Sequence, residues 1–207
     1  MKIIEPKRIL FYNLPIMLKI LVTPSPGLLS KSAPVTKFDR KLTKEISDMK
    51  KTLDSTRDPV GVGLAAPQVG ILKRFFLAKP KDKTQVFINP EILETSSEQE
   101  IPAFTNSPKV EARKPKNSRK KLLEGCLSIP NIWGNVARKK EIKLRYQDIE
   151  GKVHIENIKG FLSIITQHEL DHLEGVLFTM HVMAQNEQLY RSYKNEKGEE
   201  EFEEIKV

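Results

Sequence analysis

The stretch GFLSIITQHELDHLEG (residues 160–175) limits the possible folds more than any other part of the chain. Residues four apart on a helix share a face, so His168 and His172 point the same way. Ile164 and Ile165 lie one turn before His168, and Leu173 follows His172. The histidines thus continue an apolar stripe, which predicts a buried helix over about 160–174, closed by Gly175. Two imidazoles and the Glu169 carboxylate inside an apolar interior are costly without a compensating ion. A lone histidine there would be read as a core residue satisfied by hydrogen bonds. A pair at i and i+4, with a glutamate after the first, has the spacing at which two imidazoles bind one cation. The fold must therefore wrap around this helix and bring a further ligand to it.

Where that ligand comes from separates two chemistries. In one branch of the HExxH zinc peptidases the helix continues to a third histidine six residues past the second. Gly175 falls at the glycine of that pattern, but Phe178 occupies the ligand position and His181 comes three residues too late. A second branch takes a glutamate from a further helix, for which the hairpin-like tail offers no place. The chain's single cysteine, Cys126, lies in EGCLSIP (124–130). A solitary cysteine is usually a small buried hydrophobe. Here Gly125 and Pro130 bound a stretch that can hold a thiolate toward a metal, and a thiolate with two imidazoles leaves the fourth position for water or substrate. Further upstream, GVGLAAPQVG (61–70) leaves its backbone uncovered through small residues, so a substrate chain could pair with it. Gln68 ends that run with an amide able to donate to an oxyanion. Standing alone, this stretch would be read as a tight packing turn.

The rest of the sequence predicts an α+β domain with mostly antiparallel sheet. Phe38, Leu42, Ile46, Met49 and Leu53 recur at helical spacing, predicting a helix over about 37–53 with Thr36 and Asp39 as a capping box. RFFLA (74–78) and QVFINPEIL (85–93) read as strands. IKLRYQD (142–148) and KVHIENI (152–158) flank a turn at 149–151 and read as a hairpin. The tail, 184–207, reads as a closing β-hairpin. Residues 94–122 are polar and aperiodic, and within 109–121 Lys109, Arg113, Lys114, Lys116, Arg119, Lys120 and Lys121 face Glu111 alone. Residues 1–19, 94–122 and 184–207 are expected to be peripheral to a single domain spanning 1–207.

GVGLAAPQ (61–68), EGCLS (124–128) and HELDH (168–172), in this order, resemble the three signature motifs of the peptide deformylases. The likeness runs from about Ile20 to about His181. It implies removal of the formyl group from N-formylmethionyl nascent polypeptides. Carried onto this chain, it implies that Cys126, His168 and His172 hold a divalent metal, with iron(II) expected in the cell and zinc, nickel or cobalt as other occupants. Glu169 would be the general base and acid. Gln68 and the backbone N–H of Leu127 would stabilise the oxyanion. Val62, Gly63, Leu64 and Gly125 would meet the peptide, and Phe161, Ile164 and Ile165 would help Val62 enclose the methionine side chain. Glu124 would pair with Arg138 and brace the cysteine loop.

Composition narrows the partners and the compartment. The net charge of +8 favours an anionic partner such as ribosomal RNA, reached through the basic segment, and neither a membrane nor DNA is expected. One cysteine precludes an intrachain disulfide and suits a reducing setting, with the cytoplasm expected. Two rival readings stand beside the deformylase: an HExxH zinc endopeptidase, and a non-catalytic, metal-stabilised module docking on the ribosome.

Overall fold

A computed structural model describes residues 16–100 and 123–206. Three antiparallel sheets and three α-helices are present among them. The largest sheet joins β1 (Gly63–Ala65), β2 (Phe75–Ala78), β3 (Gln85–Thr95), β8 (Glu141–Gln147) and β9 (Val153–Lys159) in that spatial order. A second runs β11 (Glu200–Glu204), β10 (Leu189–Lys194), β6 (Ile129–Gly134) and β5 (Glu124–Cys126). The third pairs β4 (Gln99–Glu100) with β7 (Arg138–Lys139). The helices are α1 (Arg40–Ser55), α2 (Gly160–Glu174) and α3 (Phe178–Ala184). This is the expected α+β architecture.

Periodicity explains where each element packs. The face of α1 buries Leu42, Ile46, Met49 and Leu53 against Leu64, Phe75 and Leu77. Each such side chain contributes about 1.5–3 kcal/mol by leaving water. The same helix buries Asp48 and Thr52, which accept from the N–H groups of Ile16 (2.8 Å) and Leu18 (2.7 Å) and so tie down the incoming chain. Helix α2 packs against β1 and β2, and its Ile165, Leu170 and Leu173 share a core with Phe76, Phe87, Ile142 and Leu144. It ends where Gly175 takes φ 76°, a left-handed cap, and a Cβ there would stand 2.5 Å from the Leu29 carbonyl oxygen. The short α3 fills a third core with Phe178 and Val182 beside Cys126 and Ile129.

Several expectations are corrected. Helix α1 starts later than residue 37, because the cap is Asp39 itself, whose side chain accepts from Leu42 N at 3.0 Å. Thr36 and Phe38 precede it. Helix α3 was not expected, since FTMHVMA is too short to show a period. Residues 94–95 continue β3, and 99–100 form β4, so the polar stretch begins as ordered sheet. The two hairpins do form, β8–β9 and β10–β11 in full register. The basic segment 109–121 lies outside the described residues.

Because Asp39 and not Thr36 caps α1, Asp39→Ala should lower unfolding free energy by about 0.5–2 kcal/mol in urea titration. Thr36→Ala should change it by a few tenths at most. The reverse ranking would reinstate the capping box at Thr36.

Candidate metal centre and active site

The second sheet and α2 meet at Cys126. Strands β5 and β6 are joined by a tight turn at Leu127–Ser128, with a register shift between Gly125 and Cys126. That turn places the thiol against the buried face of α2. Cys126 Sγ lies 3.1 Å from His172 Nε2, and ligand-capable atoms of Cys126, His168 and His172 all fall within 4.8 Å of one another. All three residues are buried.

Behind the cluster a buried ion-pair chain orients one imidazole. His168 Nδ1 lies 2.7 Å from Glu124 Oε1, which leaves the other ring nitrogen for the cluster. Glu124 accepts a two-pronged pair of bonds from Arg138, at 3.0 and 2.6 Å. Arg138 also reaches Asp171 Oδ2 at 2.6 Å, and His181 Nε2 lies 2.9 Å from that same oxygen. The expected Glu124–Arg138 pair is therefore formed, and Asp171 joins it. A charge so deep costs several kcal/mol unless paired and hydrogen-bonded, and Glu124 and Arg138 are both.

The electrostatics favour an ionised thiol at the cluster. Burial alone would keep Cys126 a neutral thiol, but His172 and His168 outweigh it and pull the group down to about 5. Burial also opposes charge on His168, yet Glu124 holds the ring protonated well above the usual range. Glu124 itself resists burial through Arg138 and His168 and stays far below the usual carboxylate range. A thiolate, two imidazoles and no apolar plug between them form a donor set that fits a divalent ion.

Glu169 faces the other way, into the cleft. It is 3% exposed, and its Oε2 has no hydrogen-bond partner among the described residues. Burial is the main reason its pKa rises to about 7, with the two imidazoles working against the rise. Strand β1 passes so close that a Cβ at Gly63 would stand 2.1 Å from Glu169 Oε1, so any larger residue there would displace the carboxylate. Strand β1 is an edge strand, pairing with β2 alone among the described strands.

Gln68 is nearly fully buried, at 1% exposure. Ala65 N–H donates to its Oε1 at 2.7 Å, which fixes the amide so that its NH2 side faces Ser128 Oγ (3.1 Å) and Cys126 Sγ (3.5 Å). An oxygen arriving beside Cys126 would therefore meet a donor already aimed at it.

A cleft of about 470 Å³ opens over these groups. Val62, Gly63, Gln68, Glu124, Gly125, Cys126, Leu127, Phe161, Ile164, Ile165, His168 and Glu169 all line it. Leu64 does not, because its side chain is packed in the α1 core. His172 and Arg138 lie behind the lining. Sequence reasoning missed Asp171, whose carboxylate is recognisable only once Arg138 and His181 converge on it. It also missed Trp133, Ser192 and Glu200, which reach the cleft from β6 and the closing hairpin. The hairpin gave no chemical signal of its own.

A buried Cys/His/His set beside an unpartnered carboxylate, under a cleft with a free strand edge, is the arrangement of a metal-dependent hydrolase acting on a peptide. The family model of polypeptide deformylase matches residues 17–188. The peptide deformylase of Thermotoga neapolitana is 40% identical over 161 residues, covering 78% of this chain and 84% of that protein. The crystal structure of the Thermotoga maritima peptide deformylase superposes with a TM-score of 0.67 at 39% identity, over 80% of this chain and 97% of the other. That of an Acinetobacter baumannii class I type b peptide deformylase bound to Met-Ala-Ser gives 0.65 at 30% identity, over 80% and 98%.

The chain belongs to the polypeptide deformylase family. It is accordingly a metal-dependent hydrolase that removes the N-terminal formyl group from nascent polypeptides. The endopeptidase and non-catalytic readings are thereby set aside.

A cation held by Cys126, His168 and His172, as their grouping allows, could not spare one of three protein ligands. Cys126→Ser and His172→Ala should therefore each lower metal content and activity together, measured on one preparation by elemental analysis and formyl release. Full metal occupancy in Cys126→Ser would remove that residue from the site.

Proposed function

We propose that Cys126, His168 and His172 hold the metal, that Glu169 moves the proton, and that Gln68 with the Leu127 N–H meets the developing oxyanion. One observation carries this reading: the buried carboxylate of Glu169, without a partner, lies beside the Cys/His/His cluster at the wall of the cleft.

A formamide is a poor electrophile and neutral water a poor nucleophile. A divalent cation held by the three ligands would supply the missing Lewis acidity, acidifying water and polarising the formyl oxygen. The chain's own residues do the rest. The formylmethionyl peptide lies along the free edge of β1, near Val62, Gly63 and Leu64, with Gly125 on the opposite wall. Its methionine side chain enters the apolar part of the cleft formed by Val62, Phe161, Ile164 and Ile165. Glu169, lifted toward neutrality by burial, takes a proton from the attacking water and hands it to the departing amine. The NH2 of Gln68, oriented by Ala65, donates to the oxygen as charge builds on it. Glu124 and Arg138 keep His168 in the ring orientation that the cluster needs.

Ligand type alone does not choose among iron(II), zinc, nickel and cobalt. We assign iron(II) to the cellular form, on the resemblance of the three motifs, with the others as substitutes. Metal analysis after anaerobic purification tests the assignment. We place the chain in the cytoplasm beside the ribosome. In support, no helix of the described residues is long and apolar enough to cross a membrane, and the seven basic residues of 109–121 are suited to RNA phosphates. Such binding should weaken with salt and fall when the seven are neutralised. Unchanged ribosome affinity would mean that the segment does not bind the ribosome's RNA.

The proton shuttle has a direct test. Glu169→Gln is nearly isosteric and should keep metal and peptide affinity, but it cannot accept a proton. A loss of at least about 10²–10⁴-fold in kcat on formyl-Met-Ala-Ser under anaerobic conditions with iron(II) is expected, or roughly 3–5 kcal/mol of barrier. Retained metal with near-wild-type turnover would exclude Glu169 as the base.

A further inference from the structure

The family match ends at residue 188, yet the structure continues into a hairpin that walls the cleft. Strand β10 pairs with β6 through Leu189, Tyr190 and Arg191, and Trp133 Nε1 donates to Ser192 Oγ at 3.1 Å. Phe202 of β11 packs edge-on against the Trp133 ring, with centroids 6.1 Å apart. The wall is thus anchored to the strand next to the cysteine loop.

Beyond the apolar part, the cleft continues into a polar recess of about 240 Å³ lined by Asp58, Asn131, Ser192, Tyr193, Lys194 and Glu200. Asp58, Asn131, Ser192 and Glu200 line both spaces, so the two are continuous. Lys194 stands opposite Glu200 in the hairpin register, but its ammonium goes to Asp58 at 3.0 Å, across from the hairpin to the loop after α1. Those two charges cancel. Glu200 has no ion pair among the described residues, so the recess carries one uncompensated carboxylate. Glu201 and Glu204 on the same strand carry further negative charge, while Glu203 is paired with Arg191 at 3.6 Å.

We infer that this recess receives the nascent-chain residues that follow the formylmethionine and the residue after it, and that Glu200 makes it favour lysine or arginine there. The inference rests on the deformylase reading, because that reaction fixes which end of the peptide lies at Glu169. It runs against the charge of the whole molecule. A net charge of +8 steers acidic peptides toward the protein, so a preference for basic ones must be local.

The experiment compares kcat/KM for formyl-Met-Ala-Lys-Lys, formyl-Met-Ala-Gln-Gln and formyl-Met-Ala-Glu-Glu at low ionic strength, in the full-length metal-loaded enzyme and in Glu200→Gln. Glu200 is exposed, so the variant should fold as the parent does. The lysine peptide should exceed the glutamate peptide about two- to fivefold, as an exposed ion pair permits. The ratio should shrink in 0.5 M salt and fall to unity or below in Glu200→Gln. Equal rates in the parent, or a lysine preference that survives in Glu200→Gln, would overturn the inference while leaving the deformylase reading intact. Failure of all three peptides to turn over would instead remove the reading on which it stands.

Discussion

A thiolate, two imidazoles and a carboxylate are buried together in one apolar interior, and the rest of the structure is arranged around that constraint. None of these groups belongs inside a core by its own solvation. They are held there by opposite charge: Arg138 grips Glu124, Glu124 grips His168, and the two imidazoles draw Cys126 toward its ionised form. The arrangement leaves a pocket of soft and borderline donors, a set that fits a divalent cation. Glu169 is the exception, because it is buried without a partner. Burial raises its pKa toward neutrality, which supports the proposed role as proton carrier.

Local rules fix the placement. The left-handed cap at Gly175 ends α2 one turn after the second histidine, and Gly63 lets β1 pass against Glu169. The turn at Leu127–Ser128 brings Cys126 into reach across 46 residues of sequence. Gln68 is set by one backbone donor, Ala65 N–H, so its orientation needs no substrate. Catalytic geometry of this kind is pre-formed by packing.

Much of this was legible in the residues. Helix α2 was readable because its apolar stripe and histidine pair follow the same 3.6-residue period, and both hairpins because their turns stand out against alternating strands. The start of α1 was misplaced because Thr36 and Asp39 are both competent caps, and only the bond from Leu42 N to Asp39 decides between them. Helix α3 is too short to show a period of its own. Asp171 carried no signal of its own within HELDH, because its partner Arg138 sits 33 residues away and is brought near only by the sheet. The reach of the C-terminal hairpin into the cleft is likewise a matter of long-range pairing, β10 on β6, that no local pattern encodes.

We propose that one cation is held by a cysteine thiolate and two imidazoles. This ligation is tested most directly by replacing the native metal with cobalt(II) and recording the absorption spectrum of the unmutated protein. One equivalent of cobalt per chain, a thiolate-to-metal charge-transfer band in the near ultraviolet, and intense visible bands of a low-coordinate N/S site are expected. Stoichiometric binding without the charge-transfer band would mean that Cys126 is not a ligand and that the cation is held elsewhere.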